Sequence, residues 1–315
     1  MKVQMFACAG LMLALTQALG CQRTATRSAT ASQPAGTTSP SIAPDPCVVA
    51  LAPTAGDAAR DSAISRAQLD AGSPAHDRAA LERLGYLYIA RARLSNNPGD
   101  YTLAEKAAAC LEARYPDEAA ALLLRGHVLH QLHRFSEAEQ LARALVARRT
   151  VVLDYGLLGD ALMEQGRLTE AATAYQKMLD LKPFYQSYTR AAHVRWLRGD
   201  LPGAIAAMRL AIDSASSRDP ESSAWAWTRL SAYKLQAGRL DEALKAAEAA
   251  LRYQPDYAAA LLARGRILLA LKRPTEAIAP LSRAATLNPL PEYQWALADA
   301  LRVQGRLDAA AAVEL

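Results

Sequence analysis

The chain has little of what most enzymes and disulfide-built proteins carry. Its 315 residues include four Cys, four Trp and three Phe, and aromatics total 6%. Glycine and proline number 16 each, which excludes collagen, and the hydropathy pattern excludes a multi-span membrane protein. There is no Gly-x-Ser-x-Gly elbow, phosphate-cradling glycine loop, His-Glu-x-x-His or Cys-x-x-Cys, so the common signatures of catalysis are missing. Neither sign of charge dominates. The net of +5, from 36 Lys and Arg against 31 Asp and Glu, reads as a solvated surface rather than a nucleic-acid face. With 51% hydrophobic residues the chain can bury a core, and its Ala-rich body predicts close-packed helices.

The first twenty residues stand apart. Met1-Lys2 is a short basic start, and Val3 to Leu19 is apolar apart from Gln4, Thr16 and Gln17, which reads as a signal peptide over residues 1–20. Ala18-Leu19-Gly20-Cys21 resembles the lipobox of bacterial lipoproteins, in which the cysteine is diacylated and becomes the mature N-terminus. The order departs from that pattern, which prefers Leu three residues before Cys. The other reading is an ordinary signal cut after Ala18 that leaves Cys21 a free thiol. Residues 22 to 46 hold 19 Ala, Ser, Thr, Pro or Gly among 25, and such a segment lacks the apolar surface to fold. It predicts a disordered, lipid-anchored linker over 21–46, reaching about 25–30 Å. By the same resemblance Gln22, where an Asp would retain the protein at the inner membrane, points to the periplasmic face of the outer membrane. A secreted soluble protein is the alternative. If Cys21 carries lipid, Cys47 and Cys110 remain in the mature chain, and an oxidising compartment favours a bridge between them. Residues 47–84 read as a helical lead-in.

A phrase recurs through the rest. Gly166-Arg167-Leu168-Thr169-Glu170-Ala171 and Gly238-Arg239-Leu240-Asp241-Glu242-Ala243 are close copies, and looser ones precede Ala138, Ala204, Ala277 and Ala310. With Ala104 the alanines fall 34, 33, 33, 39, 34 and 33 residues apart, so about seven supersecondary units stack over 85–315. Each phrase reads as a turn between helices. Gly99, Gly166, Gly199, Gly238 and Gly305 close one helix in the left-handed conformation. Thr102, Ser136, Thr169, Asp241, Thr275 and Asp308 are placed to cap the next, with a capping box at Ser136 and Glu139. Pro116, Pro183, Pro255 and Pro289 stop the second helices. The long spacing predicts a loop of about five extra residues over 213–221.

These units resemble the tetratricopeptide repeat family, with Tyr155-Leu158-Gly159 and Trp227-Leu230-Ser231 matching its bulky, Leu and small sites. Gly126 and Gly265 hold the small site elsewhere, whereas Arg125 and Arg264 occupy the Leu site. The resemblance implies an all-α fold of tandem helix-turn-helix repeats, wound into a right-handed superhelix (an α-solenoid) that binds proteins or peptides on its concave face. The family's groove positions correspond here to Arg93, His127, Asp160, His193, Ala232, Arg266 and Asp299, with Asn96, His130, Met163 and Trp196, and with Tyr86, Thr189, Trp225 and Trp295. Polar residues beside aromatic anchors suit a peptide groove, and their mixed signs name no acidic ligand.

The expectation is therefore a lipid-anchored scaffold that catalyses nothing, uses no cofactor, binds no nucleic acid, and assists assembly of an envelope complex such as a pilus, secretion or outer-membrane machine. The competing reading is an envelope metal-binding protein or enzyme using His127, His130 or His193. Leu297, Leu301, Leu307 and Val313, near the last residue, predict fraying or self-association through the C-terminal repeat.

Overall fold

The computed structural model describes residues 44–53, 58–73, 76–95, 97–216 and 219–314. The expected signal peptide, Cys21, most of the linker, Asn96 and part of the 213–221 loop lie outside them. Among the described residues there are sixteen helices and no strand. Two come first, α1 (Pro46–Leu51) and α2 (Ala58–Ala71). Antiparallel pairs follow: α3 (Asp77–Ser95) with α4 (Gly99–Arg114), α5 (Ala119–Gln131) with α6 (Phe135–Arg148), and α7 (Val152–Glu164) with α8 (Leu168–Leu181). The series continues with α9 (Tyr185–Leu197) and α10 (Leu201–Asp213), α11 (Pro220–Gln236) and α12 (Leu240–Tyr253), and α13 (Ala258–Ala270) and α14 (Pro274–Leu287). It ends with α15 (Pro291–Val303) and α16 (Leu307–Glu314). The expected boundary at residue 85 cuts α3, so the array starts nearer Asp77.

The recurring alanine lets each pair close. Ala104, Ala138, Ala171, Ala204, Ala243, Ala277 and Ala310 are all buried, at the crossing where a longer side chain would force the helices apart. The small site of the first helices is as tight. A Cβ on Gly159 would come 2.3 Å from the Tyr175 ring, and one on Gly126 2.3 Å from Leu157.

The turns follow one geometry with two departures from expectation. Gly166, Gly199, Gly238 and Gly305 take φ of 70–79°, and His133 (58°) and Lys272 (61°) adopt the same left-handed turn without being glycine. The next residue's N–H then returns to a carbonyl five residues back, as in Arg167 to Leu162 (3.0 Å) and Arg239 to Lys234 (2.9 Å), so the helix end is satisfied. Gly99 does not take this conformation and instead opens α4. Ser136, Thr169, Asp241, Thr275 and Asp308 are the second residues of their helices, two places too late to cap them, and Thr102 is the fourth of α4. The cap position holds Arg134, Arg167, Arg239 or Arg273, each paired through two hydrogen bonds with the Glu three residues on, at 2.5–2.7 Å. Such exposed pairs contribute under about 1 kcal/mol each, so packing rather than capping holds the turn. Glu139 is engaged by Arg143, Arg167 and Gln165, not by a capping box.

The long spacing is only partly a loop. Asp219 accepts a hydrogen bond from the Ser222 N–H at 3.1 Å, Pro220 starts the helix, and α11 runs 17 residues against 13 in α9 and α13. Much of the insertion therefore lengthens the N-terminal end of a first helix.

At the other end Cys47 of α1 and Cys110 of α4 are bonded, with Sγ–Sγ 2.04 Å. The Tyr88 hydroxyl donates to the Ala50 carbonyl at 2.9 Å and Gln68 Nε2 to that of Ala52 at 2.7 Å, so α1 is tied down at three points. Closing a chain separation of 63 residues removes denatured-state freedom of about 4 kcal/mol in the chain-entropy model.

Candidate functional site

The first helices face inward and enclose a hollow of about 680 Å³. Its walls come from α3, α5, α7, α9 and α11, plus Tyr175 of α8, because successive first helices stack side by side while second helices lie outside them. Seven of the expected groove residues line it: Arg93, His130, Asp160, Met163, Thr189, His193 and Trp225.

At its floor Asp160 accepts hydrogen bonds from Arg190 Nε (2.8 Å) and Nη2 (2.5 Å) and from the Tyr175 hydroxyl (2.8 Å). Burial works to raise the Asp160 carboxyl, but the Arg190 charge and these bonds outweigh it and hold it below the usual carboxylate range. Burial, with the neighbouring Asp160 charge, pushes the Tyr175 phenol far up. Asp160 is thus neutralised by its own protein and is not a free anchor for a cationic ligand. Sequence reading missed Arg190 and Tyr175. They lie 30 and 15 residues away, Arg190 on α9 of the next unit and Tyr175 on α8 of the same one, so that stacking and helix pairing together bring them to one carboxylate.

The remaining expected residues are placed as follows. His127 lies edge-on to Tyr86 at 5.8 Å between ring centres, and burial lowers its pKa to about 4 while raising that of Tyr86. His130 packs edge-on against Phe135, and its Nε2 is buried without a hydrogen-bond partner. Trp196 stacks between His193 and Tyr233, donates from Nε1 to Gln236 Oε1 at 2.5 Å, and lies under Arg229, so it seals α9 to α11. Burial, then the Arg229 charge, lowers His193. Arg266 pairs with Glu292 at 3.0 Å and Asp299 with Arg302 at 2.7 Å, outside this hollow, while Trp295 is 60% exposed. The three histidines expected under the metal reading each pack on a ring instead of converging, and among the described residues no three His, Cys, Asp or Glu side chains form a metal-binding group.

The array can therefore hold a chain segment in a hollow with one half-open indole, Trp225 (38% exposed), and charges at Arg93, Glu164 and Glu221 that form no ion pair with the described residues.

Comparison with known proteins matches residues 89–150, 157–220 and 229–290 to a family model described as tetratricopeptide repeat. The chain of a solved APC/C hetero-tetramer, Cut9-Hcn1, is 18% identical, with a TM-score of 0.62 over 77% of this chain and 47% of that one. This chain thus spans about half the length of that relative. YrrB, a TPR protein with an unusual peptide-binding site, is 15% identical, with a TM-score of 0.44 over 64% of this chain and 99% of its own. The C-terminal part of a TPR repeat-containing protein from Cytophaga hutchinsonii is 19% identical, with a TM-score of 0.46 over 72% and 94%. No curated protein matches the chain in sequence. At these identities the structural likeness is one of fold.

Proposed function

The chain belongs to the tetratricopeptide repeat family, and from that premise we propose that it is an extracytoplasmic scaffold whose hollow holds a segment of a partner protein. The observation that carries this is the half-open Trp225 in a polar hollow lined almost wholly by first helices. An exposed ring there supplies contact area, and the charged groups around it fix orientation. Trp196, by contrast, is spent on sealing two repeats.

The address is part of the same proposal: a signal peptide over 1–20, lipid on Cys21, and a place at the periplasmic face of the outer membrane assisting assembly of an envelope complex. The bonded Cys47 and Cys110 support an oxidising compartment, since cytosolic thiols are kept reduced.

Two experiments test it. A photocrosslinking amino acid at position 225 is expected to give partner adducts in intact cells, and one at Leu210, exposed on α10 and not lining the hollow, is not. Adducts from position 210 alone would move the binding face outward and sink the groove reading. Palmitate labelling should be lost in Cys21→Ser; label that persists removes the anchor.

A further inference from the structure

Resting on that peptide-binding reading and deepening it, we propose that the α11 wall of the hollow is a subsite for a basic side chain, Lys or Arg, of the bound segment, held between the Glu221 carboxylate and the Trp225 ring.

Glu221 and Trp225 are four residues apart on α11, so they are neighbours on one helix face, and both line the hollow. The other carboxylate at this end, Asp219, is already used: it accepts from the Ser222 N–H at 3.1 Å and from its hydroxyl at 2.5 Å, capping the helix. Glu221 forms no ion pair or hydrogen bond with the described residues, and Glu164 on the facing α7 wall forms none either. Trp225 has no ring partner among them and is 38% exposed. Among the described residues, two carboxylates and an indole thus face the hollow with no cation bonded to them.

The arginines of the hollow are differently placed. Arg190 is held by Asp160, and Arg229 lies over Trp196 and Tyr233 at 5.6 and 5.5 Å. Among the described residues Arg93, from the α3 wall, is the arginine of the hollow without such a partner. The lining therefore carries three arginines against four carboxylates, although the chain as a whole is +5. The phenols near Glu221 reinforce its role. Tyr185 spends its hydroxyl on the Ser222 carbonyl at 2.8 Å. Burial, with the Glu221 charge, pushes Tyr257 to about 12, so it stays neutral beside the carboxylate. A Lys or Arg can lay its methylenes on these rings and its charge against Glu221, gaining both cation–π and ionic attraction. A glutamate in the same place would meet the charges of Glu221 and Glu164. Arg93 is left for a carbonyl or carboxylate elsewhere in the segment.

The test presents the purified protein with arrays of synthetic nonapeptides whose central residue is fixed as Lys, acetyl-lysine or Glu, with the flanks randomised. The Lys pool is expected to bind about tenfold more tightly than the acetyl-lysine pool, and the Glu pool least. Glu221→Gln and Trp225→Ala should each level the Lys and acetyl-lysine pools, and Trp225→Phe, which keeps a ring, should retain part of the difference. Far-UV circular dichroism checks that the variants fold. Equal binding of all pools by the unaltered protein, or a Lys preference that survives Glu221→Gln, overturns the subsite and leaves segment capture standing. Binding of no pool overturns both.

Discussion

Asp160 in α7 and Asp299 in α15 hold equivalent places on first helices, yet their surroundings differ. Asp160 is gripped by Arg190 and Tyr175 from neighbouring helices, with 19% of its side chain exposed. Asp299 meets Arg302 of its own helix and is 64% exposed. The middle of the array turns a groove position into an internal strut, while the last repeats leave it at the surface. In a repeat protein the same residue at the same position thus acquires its role from the helices stacked on either side.

The largest expected break in this contrast is Asp160→Ala. It strands Arg190 in a partly buried setting, and urea unfolding should show a loss of about 3 kcal/mol. The small sites give a second comparison. Gly159→Ala drives a methyl into the Tyr175 ring that braces Asp160, and should cost about 2 kcal/mol. Gly265→Ala meets Leu281, a softer neighbour, and should cost about half that.

Acid pH sharpens the contrast next. His127 has a folded pKa of about 4, below its unfolded value near 6.5, so between these values only the unfolded chain takes up the proton. Stability should therefore fall from about pH 6.5 down to pH 4, by about 1–2 kcal/mol at pH 5, and His127→Gln should flatten that slope in urea titrations. Asp160 acts lower still. Its carboxyl is depressed in the folded state, so its contribution is present above the ordinary carboxylate value and lost as the pH drops below about 4. The smallest effects belong to the open end: Arg266→Ala and Asp299→Ala should each change stability by less than about 0.5 kcal/mol, because both pairs are solvated. A loss at Asp299 as large as that at Asp160 would erase the distinction between the two regions.

Legibility in the chain tracks how local each feature is. The alanine register was readable because one buried crossing recurs every turn of the array, and all seven alanines are buried. The caps were misplaced by two residues because Ser136 and Thr169 have capping chemistry, whereas the turn is closed by packing and left-handed backbone at the residues before them. Glycine was overrated as a marker, since His133 and Lys272 adopt the same φ and Gly99 does not. At the hollow, Arg93, His130, Asp160, His193 and Trp225 were visible as inward positions, but Trp196 as a seal and Arg190 as the counter-charge were not.

Sequence alone determined the helical class, the repeat length and the faces that close against each other, because those depend on spacing within a unit of about 34 residues. The tertiary structure decided which inward residues stay available. Whether a charge or ring is spent or spare depends on side chains one or two repeats away, and no local pattern encodes the company it keeps.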